Sequence, residues 1–136
     1  MVEKQGKIEL EIVTPAKLLF SESTDLVVIP GGEGDFGVLT GHAPLLSQVR
    51  PGTIDIYEGD KVSVQIFVEG GIVDVSAKRC TVLAEEAIMV VDIDKTSAHE
   101  RLKKAQAAQD SDKNHVEGLD MPEVVAAEAQ VMAVQN

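Results

Sequence analysis

The chain has 136 residues, 44% of them hydrophobic but only 3% aromatic, no Trp, and a formal charge of −11 at pH 7. That length fits one domain, or one domain with an appendage, and the core must be built from Val, Ile, Leu and Ala rather than from rings. The acidic excess argues against a nucleic-acid or anionic-lipid surface, since either would repel the chain, and favours a basic protein partner.

The N-terminal stretch MVEKQGKIELEIVTP has no apolar signal core and no Arg- and Ser-rich amphipathic pattern, so neither a secretory leader nor a transit peptide is expected. No apolar run approaches the roughly 18 residues that a membrane span needs. Contact with a membrane is therefore expected only through a partner, with no direct lipid contact.

From Lys7 to about Val91 the pattern has period two. Ile8, Leu10 and Ile12 alternate with Glu9 and Glu11. Val62, Val64, Ile66 and Val68 alternate with Ser63, Gln65, Phe67 and Glu69, and Val73 and Val75 flank Asp74. Such alternation marks half-buried antiparallel strands. Turn signals recur at Thr14-Pro15, Pro30-Gly31-Gly32, Arg50-Pro51-Gly52, Glu58-Gly59-Asp60 and Glu69-Gly70-Gly71. Many short strands without intervening helices indicate a sandwich or a barrel.

Within this region PGGEGDFGVLTGHAPLL, Pro30–Leu46, contains Gly32-x-Gly34-x-x-Gly37, the spacing of a dinucleotide fingerprint. A strand precedes it, but Gly41 and Pro44 interrupt any helix after it, and no helix N-terminus is available to meet a pyrophosphate. The glycines are expected to serve tight turns and close strand crossings instead. Cys80 is the single cysteine, so no intrachain disulfide forms and a reducing compartment fits. In RCTVLA it alternates with apolar neighbours and is expected to be a small buried hydrophobe.

After Val91 the period changes. Asp94 is placed to cap a helix, and Ser97 with Glu100 has the spacing of a capping box. Ala98, Leu102, Ala105 and Ala108 then form a narrow apolar stripe. Asp110–Asp120 breaks the pattern. It resumes from Pro122, a first-turn proline, with Val124, Ala127, Val131 and Val134 on one face. Two Ala-rich stripes joined by a loop predict an antiparallel helical hairpin, stable only when docked. His42, His99 and His115 lie in different contexts with no Ser or Cys placed beside them, and no metal-ligand spacing occurs. No catalysis is expected.

The strings PGGEGDFGVLTGHAPLL, FVEGGIVDV and TVLAEEAI, followed by an Ala-rich tail, resemble the epsilon subunit family of bacterial F-type ATP synthases, the counterpart of mitochondrial delta, from about Ile8 to about Gln109. The resemblance implies an α+β architecture: a ten-stranded antiparallel β-sandwich, residues 1–88, followed by a two-helix antiparallel hairpin, residues 89–136. It implies a non-catalytic rotor subunit of the central stalk that couples proton flow to ATP synthesis. The sandwich would bind the gamma subunit and the polar loops of the membrane c-ring, at the cytoplasmic face of the cell (inner) membrane. Carried onto this chain, it nominates Glu33, Asp35 and His42 as polar contacts, with Phe36, Val38 and Leu39 nearby. In such families the hairpin can also reach the alpha/beta catalytic ring and inhibit ATP hydrolysis, and in some it binds ATP through an Ile/Leu-Asp-x-x-Arg-Ala motif. Here Ile93, Asp94 and Ala98 match that motif, but Ser97 stands where Arg would be, with Arg101 one helical turn on. Losing a bidentate cation at a phosphate site argues against ATP as a ligand and for no cofactor at all. The second helix carries Glu123 and Glu128 and no Lys or Arg, so weak or absent self-inhibition is expected.

Overall fold

The computed structural model describes residues 6–135. Ten strands come first: β1 Ile8–Val13, β2 Leu18–Thr24, β3 Leu26–Gly31, β4 Gly34–Val38, β5 Leu45–Val49, β6 Gly52–Glu58, β7 Lys61–Val68, β8 Gly71–Val75, β9 Arg79–Ala84 and β10 Ala87–Met89. One 3₁₀ turn, Val90–Asp92, leads into α1 Lys95–Ser111 and α2 Pro122–Ala133.

The strands run in the order β10-β7-β6-β3-β5-β8-β9-β1-β2, with β4 added to β3. At the join of β3 to β5 only Gly31 and Val49 pair, and there the sheet folds into two leaves. Between the leaves lies one core. Ile8, Leu10 and Ile12 of β1, Val73 and Val75 of β8, and Cys80 and Val82 of β9 meet Ile29, Ile54, Ile56, Ile66 and Val68 of the other leaf. Alternation thus places inward residues as expected, and Cys80 is among them. Burial, reinforced by the charge of Asp74, pushes its thiol up to about 12, so it stays protonated and packs as a hydrophobe.

The expected antiparallel sandwich is present, with one parallel pair as a first correction of detail. β1 pairs with β9 in parallel, Leu10 opposite Cys80 and Ile12 opposite Val82. No tight turn joins these strands, which closure of the sandwich brings together, so no hairpin fixes their direction. A second correction concerns β7. A bulge opposite Ile56 and Tyr57 shifts its register, leaving Val62 exposed and Val64 half-buried. Phe67, an outward residue by alternation, is 1% exposed although it lies outside the sandwich core. It sits on the outer face of its leaf, where α2 crosses neighbouring β6. The helical hairpin is therefore docked on the sandwich.

Asp94 caps α1, its carboxylate accepting from the Thr96 backbone N–H at 3.1 Å. The expected Ser97–Glu100 capping box does not form. The helix already begins at Lys95, so Ser97 lies inside the first turn and donates its hydroxyl to Asp94 at 2.9 Å. The α1 stripe is Ala98, Leu102, Ala105 and Gln109, with Ala108 exposed. Gln109 is buried because it fastens the interhelical loop: its amide donates to Asp120 at 3.1 Å, and its oxygen accepts from the Met121 N–H at 2.6 Å. Pro122 opens α2, and Val124, Ala127, Val131 and Val134 are buried against α1, as the spacing requires.

Candidate functional site

The glycine-rich segment is a β-hairpin. β3 and β4 pair back to Gly31 opposite Gly34, so Gly32 and Glu33 form its tip. Gly31 has no room for a side chain: a β-carbon there would lie 2.7 Å from the Gly34 carbonyl and 2.8 Å from the Phe36 ring. Gly37 lies in β4 and no helix follows; of the three fingerprint glycines only Gly34, at φ +137°, holds a conformation that other residues avoid. Arg50, which sequence reasoning treated only as part of a turn, organises the hairpin. It donates to Asp35 at 2.5 Å and to the Gly31 carbonyl at 2.6 Å. Only the proximity of β5 to β3 reveals that pairing.

Beyond β4, Gly41 donates to the Ala77 carbonyl at 2.6 Å, and the His42 Nδ1 faces the Ala43 carbonyl at 2.6 Å. This anchors the Leu39–Pro44 segment against the β8–β9 turn. The six nominated contact residues are not gathered in one place. Glu33, Asp35 and half-buried Phe36 sit at or near the tip. Leu39 and His42 lie past the other end of β4, roughly 13 Å along the strand. Val38 is fully buried in the core and presents no side chain to a partner. Among the described residues β4 pairs with β3 alone, which leaves its other edge unpaired there.

A second surface lies on the outer face of the leaf β5-β8-β9-β1-β2. Cross-strand register aligns Ile72 with Leu83, Leu83 with Val13, and Val13 with Leu18. Ile72, Leu83 and Leu18 are 47%, 53% and 54% exposed, and Leu46 on β5 is 73% exposed. The next row is polar, with Asp74, Thr81 and Glu11. Exposed leucines are unremarkable singly, but a contiguous row of them across four strands marks an interaction surface.

Among the described residues one cation ties the hairpin to the sandwich. Arg101 on α1 pairs with Glu69 of the sandwich, donates to Glu123 of α2 at 2.8 Å and to Gln130 at 3.2 Å. Of the ATP-motif positions, Ile93 and Ala98 pack in the hairpin's own core and Asp94 caps α1. Truncating Arg101 to Ala removes charged hydrogen bonds at a partly buried site and should weaken docking by about 2 kcal/mol. Amide protection in α1 and α2 is then expected to fall about thirtyfold in hydrogen exchange, with the β-strands unchanged.

The two carboxylates on Arg101 respond oppositely to pH. Burial first, and a hydrogen bond with Glu86 second, raise Glu69 above the ordinary 4.5, while Arg101 pulls it down. The Arg101 hydrogen bond lowers Glu123 below 4.5. A raised group contributes stability at low pH that is lost as pH climbs through its folded value. A lowered group contributes stability above 4.5 that is lost as pH falls through its folded value. Glu69→Gln should therefore abolish the decline on the neutral side of 4.5 and keep the acid loss, as read from helix melting by circular dichroism against pH.

Among the described residues no three His, Cys, Asp or Glu side chains are grouped to hold a metal, and no helix is long and apolar enough to cross a membrane. His42, His99 and His115 stand in the Leu39–Pro44 segment, the first turns of α1 and the interhelical loop, each without a nucleophile as partner. What the geometry offers is surfaces.

Comparison with known proteins points the same way. Residues 7–90 match the family described as ATP synthase, Delta/Epsilon chain, beta-sandwich domain. The chain is 49% identical over 133 residues to the ATP synthase epsilon chain of Paramagnetospirillum magneticum, covering 94% of this chain and 97% of that one. It is 46% identical over 121 residues to the epsilon chain of Rhodospirillum rubrum, covering 89% and 88%. A chain in the structure of the Euglena gracilis mitochondrial ATP synthase, comprising OSCP, F1 and c-ring, shares the fold at a TM-score of 0.78 and 21% identity over 98% of this chain and 85% of that one. A two-leaved sandwich with a docked hairpin, matched along nearly its whole length, the chain belongs to the delta/epsilon chain family of ATP synthase.

Proposed function

We propose that the chain joins the turning shaft of the F-type ATP synthase to the membrane rotor by offering each a separate face of one rigid sandwich. It is a non-catalytic stalk subunit of that membrane-associated complex. The observation that carries the proposal is the apolar row Leu18, Val13, Leu83 and Ile72 on the outer face of one leaf. That row is the seat of the gamma subunit, an elongated partner able to lie across four strands. The free edge of β4 meets the polar c-ring loops, with Glu33 at its tip and Leu39 and His42 beyond its base. Asp35 contributes through its pair with Arg50, which leaves it less able to grip a cation of the ring. An exposed ion pair adds only about 0–1 kcal/mol, so shape and apolar contact supply specificity at both surfaces.

Division of labour follows the chain. Residues 1–88 do the binding, and residues 89–136 form an appendage that rests on them. The appendage takes no nucleotide. Support for this comes from Arg101, the substitute phosphate ligand, which is already held by Glu69, Glu123 and Gln130. It inhibits ATP hydrolysis weakly or not at all, since α2 offers Glu123 and Glu128 and no cation to the alpha/beta ring. The complex would lie with this subunit at the cytoplasmic face of the membrane. Co-expression with the cognate gamma subunit tests the reading. A one-to-one complex on size-exclusion chromatography is the expected result, and two separate peaks would overturn it.

A further inference from the structure

Between the sandwich and the hairpin lies a cleft of about 1410 Å³, bounded by the β1–β2 turn, the β9–β10 turn and α2. It is larger than the roughly 300–1,000 Å³ that small-molecule sites occupy. Its apolar lining includes Phe67, Ala87, Ile88 and Val125, the last 41% exposed. Its charges are lopsided. Glu69, Glu85, Glu86, Asp120 and Glu123 line it, against Lys17 and Arg101. Arg101 is already paired with Glu69 and Glu123, so Glu85, Glu86 and Asp120 face a single remaining cation.

The cleft adjoins one end of the apolar row, although its floor faces outward from the other leaf. Thr14–Lys17, which forms one wall, runs directly into Leu18 at the end of that row, and Glu85 follows Leu83 by two residues. A partner lying on Leu83 and Leu18 reaches the cleft mouth by rounding that end of the sandwich, past the β1–β2 and β9–β10 turns. We propose that the cleft is a second seat for the gamma subunit and takes a basic, partly apolar segment of it, bridging sandwich and hairpin. The proposal rests on the reading of the row as the gamma surface. It extends that reading from one leaf to both parts of the chain. Acidic walls over an apolar floor suit a segment whose Lys or Arg side chains pair at the rim while its apolar residues meet half-buried Ile88 and exposed Val125. Docking there would hold the hairpin against the sandwich, because the bound segment touches both.

The test uses the full chain in complex with cognate gamma. A benzophenone amino acid is placed at Val125 in one sample and at Leu83 in another, and each complex is irradiated. Separately, gamma affinity is measured for wild type and Glu85→Lys at low and at high ionic strength. The proposal expects crosslinks to gamma from both positions, with the Val125 adduct on a Lys- or Arg-containing peptide. It also expects about fivefold weaker binding of Glu85→Lys at low salt, a loss that fades as salt screens the contact. A crosslink from Leu83 alone, with Glu85→Lys binding like wild type, would overturn the cleft proposal and leave the row intact. A crosslink from Val125 alone would keep the cleft and overturn the row. Crosslinks from neither would sink both. A Val125 adduct joining two copies of this chain would show that the cleft serves self-association instead.

Discussion

Gly71→Ala should leave the chain unfolded at room temperature, or cost it at least about 4 kcal/mol, a large share of the roughly 5–15 kcal/mol that holds a domain this size together. Gly71 opens β8 at φ +145°, where a side chain is strained. Space is the harder limit. A β-carbon would stand 2.1 Å from the Leu83 carbonyl oxygen and 2.9 Å from the Ala84 Cα. Both are backbone atoms of β9, so no rotamer change relieves the clash. Gly71 is also paired on both sides, with Val49 of β5 and Ala84 of β9, beside the corner where the two leaves join. Separating those strands would tear the leaf that carries the apolar row. Urea unfolding followed by circular dichroism reads the effect directly. An unchanged midpoint would mean that the β8–β9 approach is looser than described.

Leu83→Glu should do the reverse, leaving the fold intact while removing its use. Leu83 is 53% exposed at the middle of the outer row, so a carboxylate there is solvated in the free chain and the melting temperature should move little. In the proposed complex the same carboxylate would be buried among Val13, Leu18 and Ile72 without a counter-charge. Such burial costs several kcal/mol, and central interface residues commonly carry 2 kcal/mol or more. Gamma affinity is expected to fall about a hundredfold, equivalent to about 2.7 kcal/mol. A variant that melts normally and binds gamma as wild type does would refute the assignment of this face.

Local rules made much of this fold legible. Ile8, Leu10 and Ile12, and later Val73, Val75 and Cys80, are inward because strand alternation leaves them no alternative once one face is buried. Asp94 and Pro122 open their helices for reasons confined to a few neighbouring residues. What could not be read depends on distant parts of the chain. Phe67 reads as a stray ring on a polar face until α2 is seen to cover it. Val62 is turned outward by a bulge that only the pairing with β6 reveals. Gln109 replaces Ala108 in the buried stripe because Asp120 and the Met121 N–H, across the loop, need a partner. The candidate site shows the same division. The glycine spacing is visible in the string PGGEGDFG, and the absence of a following helix excludes the dinucleotide reading. The Arg50–Asp35 pair and the apolar row are not visible. The pair joins residues 15 apart, and the row depends on Val13 meeting Leu83 from 70 residues away, a register that nothing short-range encodes.

A rigid, chemically silent adaptor has value only if the rotor turns the shaft through it. The most direct measurement is therefore coupling in sealed vesicles bearing the whole synthase, assembled with the wild-type chain, with Leu83→Glu, or without the chain. ATP formed per proton admitted should be highest with the wild-type chain, and should drop severalfold both without the chain and with Leu83→Glu. Full coupling in vesicles that lack the chain would contradict the account at its root.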